Sequence, residues 1–448
     1  MSVSRKKYLV IGAGPVGAKC ALDLEKEFKD SIDIEIVEKR LTPGGRHEVL
    51  FLSEESLQTL PKDVYDDLFS APNEDKPVKA FHSGLVYHYS GSIVKESHGI
   101  ITIHDLESAL CNAIEKRKIS MHRGLEFLTA EKGKAFFKNE KGETFNKEYD
   151  TLILAMGLSG SLKNSQQENN ILEAPRLLHD FPVLVARFKA NFKEFKPKEE
   201  PATISYFTPD RMVGFFVCPD SAAIFISIPQ DKLNQLSSDE AQLNFLSSSL
   251  EKIPTNLKYL LDNVSFDRPS IIKIVPAIAT LTPKLLDREK NIYLAGDGLG
   301  TFPFVWGSET NIAYTASLPL LIKHFVNIHH CPEQHEKLTR DYEYHLKKVL
   351  TENKYFLRLS PFGEHIEFGT KNEKNEYSFP GWEKLSEQKP YTKNSMSKFD
   401  SFLTLMPPSF SNSIVSKTGI YSDKSQPKTI TMPIKQNNEE KSSYITHP

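Results

Sequence analysis

The sequence predicts an α/β chain in which a parallel-sheet, βαβ-type domain carries an inserted, mostly antiparallel β-sheet and a C-terminal extension. Three observations predict it. A short apolar run near the amino end enters a glycine turn and then an amphipathic helix; a second apolar strand, almost 300 residues later, ends in an acid; and short β-rich runs fill the stretch between them. The 448 residues suit two or three domains at roughly 100–200 residues each. Lys plus Arg number 56 and Asp plus Glu 58, a net charge of -2, which argues against a chain that coats phosphate backbones, so no nucleic-acid partner is expected. No run of about 18 apolar residues occurs, so no transmembrane segment is expected. Cys20, Cys111, Cys218 and Cys331 are scattered without paired spacing, which disfavours disulfides and a cysteine metal site and suits a cytoplasmic protein. The histidines form no HExxH set, and His329-His330 beside Cys331 read as a helix-end surface, so no metal is expected. The basic residues before Tyr8 imitate a signal peptide, but the apolar run is only Tyr8 to Ile11, too short for one.

That run is better read as a strand buried on both faces. It leads into Gly12-Ala13-Gly14-Pro15-Val16-Gly17, and a helix follows with Ala18, Cys20, Ala21, Leu22 and Leu24 on its packing side. The next strand, with Ile32, Ile34, Ile36 and Val37, ends in Glu38-Lys39-Arg40. Strand, GxGxxG, helix, strand and acid together make a Rossmann-like dinucleotide fingerprint. Gly12 permits the tight turn, Gly14 lets the backbone approach a pyrophosphate at the helix N-terminus, and Gly17 allows close helix–strand packing. Glu38 can accept hydrogen bonds from a ribose diol.

The second landmark is "NIYLAGDGLGTFPFVWGSETNIAYTASLPLL". The strand Ile292–Leu294 runs into Gly296-Asp297; a loop through Gly298, Gly300, Pro303 and Gly307 follows; a helix begins near Ser308 and carries Asn311, Ala313 and Ala316. Asp297 is placed to bind a ribityl hydroxyl, and the helix start can offer N–H groups to a flavin carbonyl or a pyrophosphate.

With these motifs the chain resembles the FAD-dependent aromatic hydroxylases, the p-hydroxybenzoate-hydroxylase-like (group A) flavoprotein monooxygenases, over about residues 5–350. Their glycine fingerprint is matched by Gly12, Gly14 and Gly17, their late Gly-Asp motif by Gly296 and Asp297, and its downstream Pro, Gly and Asn by Pro303, Gly307 and Asn311. Their Arg-x-x-Leu-like helix start is matched in form by "ITIHDLESAL", with His104 in place of the usual Arg or Gln. "VEKR" at Val37–Arg40, followed by Arg46 and "EVLFL", is also similar to the FAD domain of the actin-oxidising MICAL monooxygenases. The resemblance implies FAD contacts at Gly12, Gly14, Pro15, Val16, Gly17, Glu38, Lys39, Arg40, Arg46, His104, Gly296, Asp297, Gly307 and Asn311, with Arg46 and Trp306 as candidates for a catalytic role. It further implies NAD(P)H as a transient reductant and oxygen transfer through a flavin C4a-(hydro)peroxide to a small-molecule substrate, apolar or aromatic. Two departures stand out. The middle Asp-Gly motif of the family is here "LILAMG", with Met156 at the acid position and core filling as its plainer role. The residues after Asp297 are Gly298-Leu299-Gly300, and Glu309 replaces a glycine at the second helix start.

Other flavoenzyme plans are tested by what is missing. There is no second GxGxxG and no redox cysteine pair, and Trp306 and Trp382 are the only tryptophans, which leaves out the tryptophan-rich halogenase signature. The middle runs "PVLVARF", "ATISYF", "RMVGFFVC" and "AAIFISI", divided by Pro209-Asp210 and Pro219-Asp220, read as a mostly antiparallel sheet. The resemblance makes it a roof over the flavin, with Phe207, Arg211, Phe215 and Phe216 as lining candidates or simple sheet packing. Phe304 and Trp306 share that ambiguity. The helix "SDEAQLNFLSSSLEKI" follows, capped by Ser238. Past Ala313 a helix interrupted by Pro319 is expected, then an amphipathic one with Leu338, Tyr342, Leu346 and Leu350 at spacing four. The end is rich in Ser, Lys, Pro and Asn, reads as disordered, and is a possible partner-binding tail. The domains are therefore 5–75, 100–178 and 285–350 for FAD, 76–99 and 179–284 for substrate, and 351–448 as the extension. The leading function is an FAD-dependent monooxygenase; the alternatives are a flavin-dependent reductase or dehydrogenase of an apolar substrate, a non-catalytic FAD-fold partner-binding protein, and an NAD-linked enzyme.

Overall fold

The computed structural model describes residues 5–43, 49–70, 79–89, 92–157, 173, 175–189, 201–208, 211–217, 221–252, 269, 271–301 and 308–352, with short pieces at 370–371, 377–378, 382 and 385. Arg46, Pro303, Phe304, Trp306, Gly307 and the end of the C-terminal extension lie outside these residues.

Strand β1 (Lys6–Ile11) leads through the glycine turn into helix α1 (Pro15–Phe28), and β2 (Ile32–Glu38) follows. After β3 (Val49–Ser53) come the short helices α2 (Glu54–Gln58) and α3 (Lys62–Phe69), the hairpin β4 (Ala80–Tyr89) and β5 (Ser92–Thr102), and helix α4 (Ile103–Lys116). Thr102 caps α4, its hydroxyl accepting from the Asp105 N–H at 3.0 Å, the arrangement a polar residue before an apolar-periodic run predicts. Next come β6 (Ser120–Arg123), β7 (Leu125–Glu131), β8 (Lys134–Asn139), β9 (Thr144–Glu148) and β10 (Thr151–Leu154). The middle of the chain gives β11 (Arg176–Lys189), β12 (Pro201–Thr208), β13 (Arg211–Val217), β14 (Ser221–Ser227), the Ser238-capped helix Asp239–Glu251 and β15 (Ile271–Leu281). The chain then returns through β16 (Leu286–Asp287), β17 (Ile292–Leu294) and β18 (Gly300–Thr301) to the helices Ser308–Ile312, Leu318–His330 and His335–Glu352.

Two large sheets result. The first has the order β16-β17-β10-β1-β2-β6, parallel throughout except for the antiparallel edge pair β16–β17. Its central strands are covered on both faces and are therefore continuously apolar: Leu9, Val10 and Ile11 of β1 are buried, as are Leu152, Ile153 and Leu154 of β10. The second sheet runs β18-β15-β11-β14-β13-β12-β4-β5-β3 and is antiparallel apart from the pair β12–β4. A three-stranded meander, β7-β8-β9, forms a further layer around Phe127 and Phe137, an element that no motif in the sequence announces.

Helix α1 buries the expected Ala18, Cys20, Ala21, Leu22 and Leu24, and Lys19 as well. The helix Leu318–His330 lies on its outer side, so Lys19 is paired in place with Asp23 at 2.7 Å. Pro319 does not interrupt the helix it was expected to interrupt. The turn Ala313–Ser317 is a π-helix, and the wider turn carries the chain into Leu318–His330 with Pro319 in the first helical turn, where its missing N–H costs little. The final amphipathic helix buries Tyr342, Leu346 and Leu350, and Trp382 donates from its indole to Thr351 Oγ1 at 3.3 Å.

His324 joins the last two helices to the parallel sheet. It is 4% exposed, lies 3.1 Å from the Tyr293 hydroxyl and stacks on Tyr342 at 4.6 Å. Burial, helped by nearby His335, pushes its pKa down to about 4. Between that value and the ordinary one of about 6.5 the unfolded chain holds the proton and the folded chain refuses it, so this contribution is full above pH 6.5 and is lost as pH falls towards 4. Denaturant titrations at pH 7 and pH 4 should show the wild type losing about 3 kcal/mol more stability than His324→Phe over that interval; equal losses would contradict the assignment.

Candidate functional site

The carboxyl ends of β1, β10 and β17 meet at one place. Gly12 N donates to Val37 O at 2.7 Å, Ala155 N to Ile11 O at 2.8 Å and Ala295 N to Leu154 O at 2.9 Å, which locks the ends of four neighbouring strands in step. The turn Gly12–Gly17 leaves β1 there. Gly12 has φ +101°, and a Cβ on it would fall 2.4 Å from Ala155 O; a Cβ on Gly17 would fall 2.0 Å from Gly12 O and 3.1 Å from Ala155 Cβ. Only glycine allows helix and strands this close. Gly14 is the N-cap of α1 in extended conformation, Pro15 opens the helix, no side chain caps it and its first turn holds no acid. The first-turn N–H groups are thus left for a ligand, at the positive end of the helix dipole.

The second motif arrives at the same point. A Cβ on Gly296 would lie 3.2 Å from Val16 Cβ, and one on Gly157 would lie 3.5 Å from Asp297 Oδ2. The sequence-distant Gly-Asp loop therefore sits beside the start of α1 and against the end of β10. Thr282, the residue after β15, holds it: its N–H donates to Leu299 O at 3.0 Å and its hydroxyl to Gly298 O at 2.8 Å. Tyr314, fully buried in the π turn, donates to Pro15 O at 3.0 Å. Met156 packs on the apolar core next to Gly157.

Glu38 stands at the end of β2, buried, with both oxygens engaged. Oε2 accepts from Ala13 N at 2.7 Å and from the Arg40 guanidinium at 3.2 Å; Oε1 accepts from Arg40 N at 2.8 Å and Arg40 Nε at 3.0 Å. Desolvation raises its pKa, but the Arg40 bonds and charge and the Ala13 N–H outweigh that and hold it below the usual carboxylate range. Arg40 reaches on to Glu107 Oε2 at 3.0 Å. Glu107, on α4 and 0% exposed, was not singled out from the sequence; the signal available was an acid on the apolar stripe of a helix. Lys39 points elsewhere, to Glu126 Oε1 at 3.0 Å. His104 sits half-buried in the first turn of α4. Asn311 spans the edge of the second sheet, its Oδ1 accepting from Ser53 N at 2.8 Å and its Nδ2 donating to Phe51 O at 2.7 Å. Phe207 lies on β12, and Arg211, Phe215 and Phe216 on β13.

The structure thus brings together Gly12, Gly14, Pro15, Val16, Gly17, Gly296 and Asp297, with Glu38 and Arg40 along the same edge. An uncapped helix start, a glycine turn and an acid on the facing loop fit the pyrophosphate and sugar portions of a dinucleotide.

No family model matches the chain, and no curated protein matches it in sequence. Solved structures share its fold. The flavin-dependent halogenase CmlS is 15% identical with a TM-score of 0.59, over 89% of this chain and 70% of that one. PqsL of Pseudomonas aeruginosa, described as a probable FAD-dependent monooxygenase, is 13% identical with a TM-score of 0.56, over 79% and 98%. Aklavinone-11 hydroxylase, solved with FAD and aklavinone, is 16% identical with a TM-score of 0.54, over 81% and 70%. At these identities the likeness is one of fold: the chain has the architecture of FAD-binding flavoprotein monooxygenases.

Gly17→Ala forces backbone atoms apart at the α1–β1 contact and should lower unfolding free energy by about 2–3 kcal/mol in denaturant titrations. Asn311→Ala strips two backbone groups of β3 of their partner and should cost about 2 kcal/mol by the same measurement. Losses under 0.5 kcal/mol in either variant would contradict the packing described.

Proposed function

We propose that the chain is an FAD-dependent oxidoreductase that binds FAD between the start of α1 and the Gly296–Asp297 loop. The observation that supports this most is the convergence of those two motifs, some 280 residues apart in sequence, at the carboxyl ends of β1, β10 and β17, the ligand position of open α/β sheets. Gly14, Val16 and Gly17 would hold the pyrophosphate with backbone N–H groups, with Pro15, which has none, opening the helix between them; Asp297 would accept from the ribityl chain, and Glu38 would serve the adenosine ribose. His104 would support the site from α4, and Asn311 from the Ser308–Ile312 helix through its bonds to β3; Lys39, turned to Glu126, would contact the cofactor only by leaving that pair. When bound, FAD supplies hydride acceptance and oxygen activation; the chain's part is to orient it, exclude water and hold the substrate.

The specific reading we favour is a monooxygenase of the group A kind, reduced transiently by NAD(P)H and acting with O2 on an apolar or aromatic small molecule under the nine-stranded sheet. The shared fold with monooxygenases and the single dinucleotide fingerprint support it. Met156 favours a second reading, a flavin-dependent dehydrogenase, because a half-buried thioether packed against the core stands at the acid position of the related motif. Among the described residues no helix is long and apolar enough to cross a membrane.

Purified protein should carry stoichiometric FAD, read from its visible spectrum and from chromatography of the released cofactor. NAD(P)H oxidation by the holoenzyme should require O2 and rise with an apolar aromatic substrate. Turnover that continues under argon with an alternative acceptor selects the dehydrogenase reading; a colourless protein that refuses added FAD removes both.

A further inference from the structure

The Arg40 cluster carries a ligand preference. An arginine just past the second strand of a dinucleotide fold is the usual partner of a 2′-phosphate, and an acid at the strand end is the usual partner of a free ribose diol. This chain has both, Glu38 and Arg40, two residues apart, so the pair alone leaves the preference open. Glu107 decides it. The Arg40 NH1 lies 3.3 and 3.0 Å from the Glu107 oxygens, and NH2 lies 3.4 Å from Oε1. Nε and NH2 lie 3.0 and 3.2 Å from the Glu38 oxygens. All three guanidinium nitrogens are therefore committed to two carboxylates, whose side chains are 7% and 1% exposed against 31% for Arg40. Carboxylates so withdrawn from water bind a guanidinium firmly and repel a further anion.

We propose that Glu107 is a positioning residue that withholds Arg40 from phosphate and so restricts the adenosine end of the site to a ribose without a 2′-phosphate. It also gives Arg40 a second anchor. The four acceptor positions of Glu38 are filled, so a ribose diol enters only where Arg40 yields one. Arg40 can yield it while still held by Glu107. The inference rests on the dinucleotide reading of the site and deepens it.

The test is calorimetric titration of the full-length, flavin-free chain with ADP-ribose and with ADP-ribose 2′-phosphate, independent of any turnover. The wild type should prefer ADP-ribose by about 100-fold or more. Glu107→Gln, which keeps shape but gives up the charge, should narrow that preference at least tenfold, with the gain on the 2′-phosphate side. Adding Arg40→Met should abolish the gain. A general loosening of the fold would weaken both ligands alike and leave the ratio unchanged, and that result overturns the proposal. Should Glu107→Gln fail to fold, Glu107→Asp serves instead: the carboxylate drawn back by one methylene loosens its hold on the Arg40 guanidinium, so the ratio should narrow in the same direction, and an unchanged ratio again overturns it. A wild type that binds neither ADP-ribose nor FAD overturns both this inference and the function from which it starts; one that binds ADP-ribose with the stated preference but refuses FAD overturns the flavin reading and supports the role of Glu107.

Discussion

The approach of α1 to the ends of β1 and β10 sets the conditions for everything else at the site. A helix start can offer its N–H groups to a ligand only where nothing else takes them and where the strands beside it stop at the same level. The missing side chains at Gly12 and Gly17 permit that approach, and the absence of a capping side chain leaves the N–H groups open. The Gly-Asp loop then docks on Val16, and Tyr314 ties the later helix to Pro15 O. Because Thr282 holds that loop to the end of β15, the inserted sheet is positioned by the same contact.

Charge is handled inside this frame by pairing. Arg40 pairs with both Glu38 and Glu107, and Lys19 meets Asp23 where the Leu318–His330 helix covers α1. Such pairs add little net stability, since desolvation offsets most of the attraction. Their effect is to hold particular groups in particular orientations. Breaking one leaves its partner buried and uncompensated, which costs the fold more than the intact pair contributes.

Local pattern explains what was legible beforehand. The β1–α1–β2 unit and the strand–acid–loop near Asp297 have signals confined to a few adjacent residues: apolar runs, glycines whose Cβ would clash, an acid at a strand end. Their placement follows from backbone sterics. The Ser238 cap and the buried row Tyr342, Leu346 and Leu350 were legible for the same reason, since a helix brings residues four apart onto one face. The π turn at Ala313–Ser317 was not, because Pro319 signals a break and only the packing of Tyr314 against α1 shows how the chain absorbs it. The meander β7–β9 was missed because its strands are short and half exposed, with a weak alternation.

By itself the sequence determined that a dinucleotide fingerprint opens the chain, that a Gly-Asp strand end lies far downstream, and that a β-rich insertion separates them. Each is a statement about neighbours along the chain, and near-neighbour sterics and periodicity are enough to make it. Only the tertiary structure decided which distant residues share a surface. It set Gly296 against Val16, turned the Asn311 amide onto β3, directed Lys39 to Glu126, and placed Glu107 of α4 against Arg40. Those outcomes depend on how strands order themselves in a sheet and how a helix rolls against it, and no spacing along the chain encodes that.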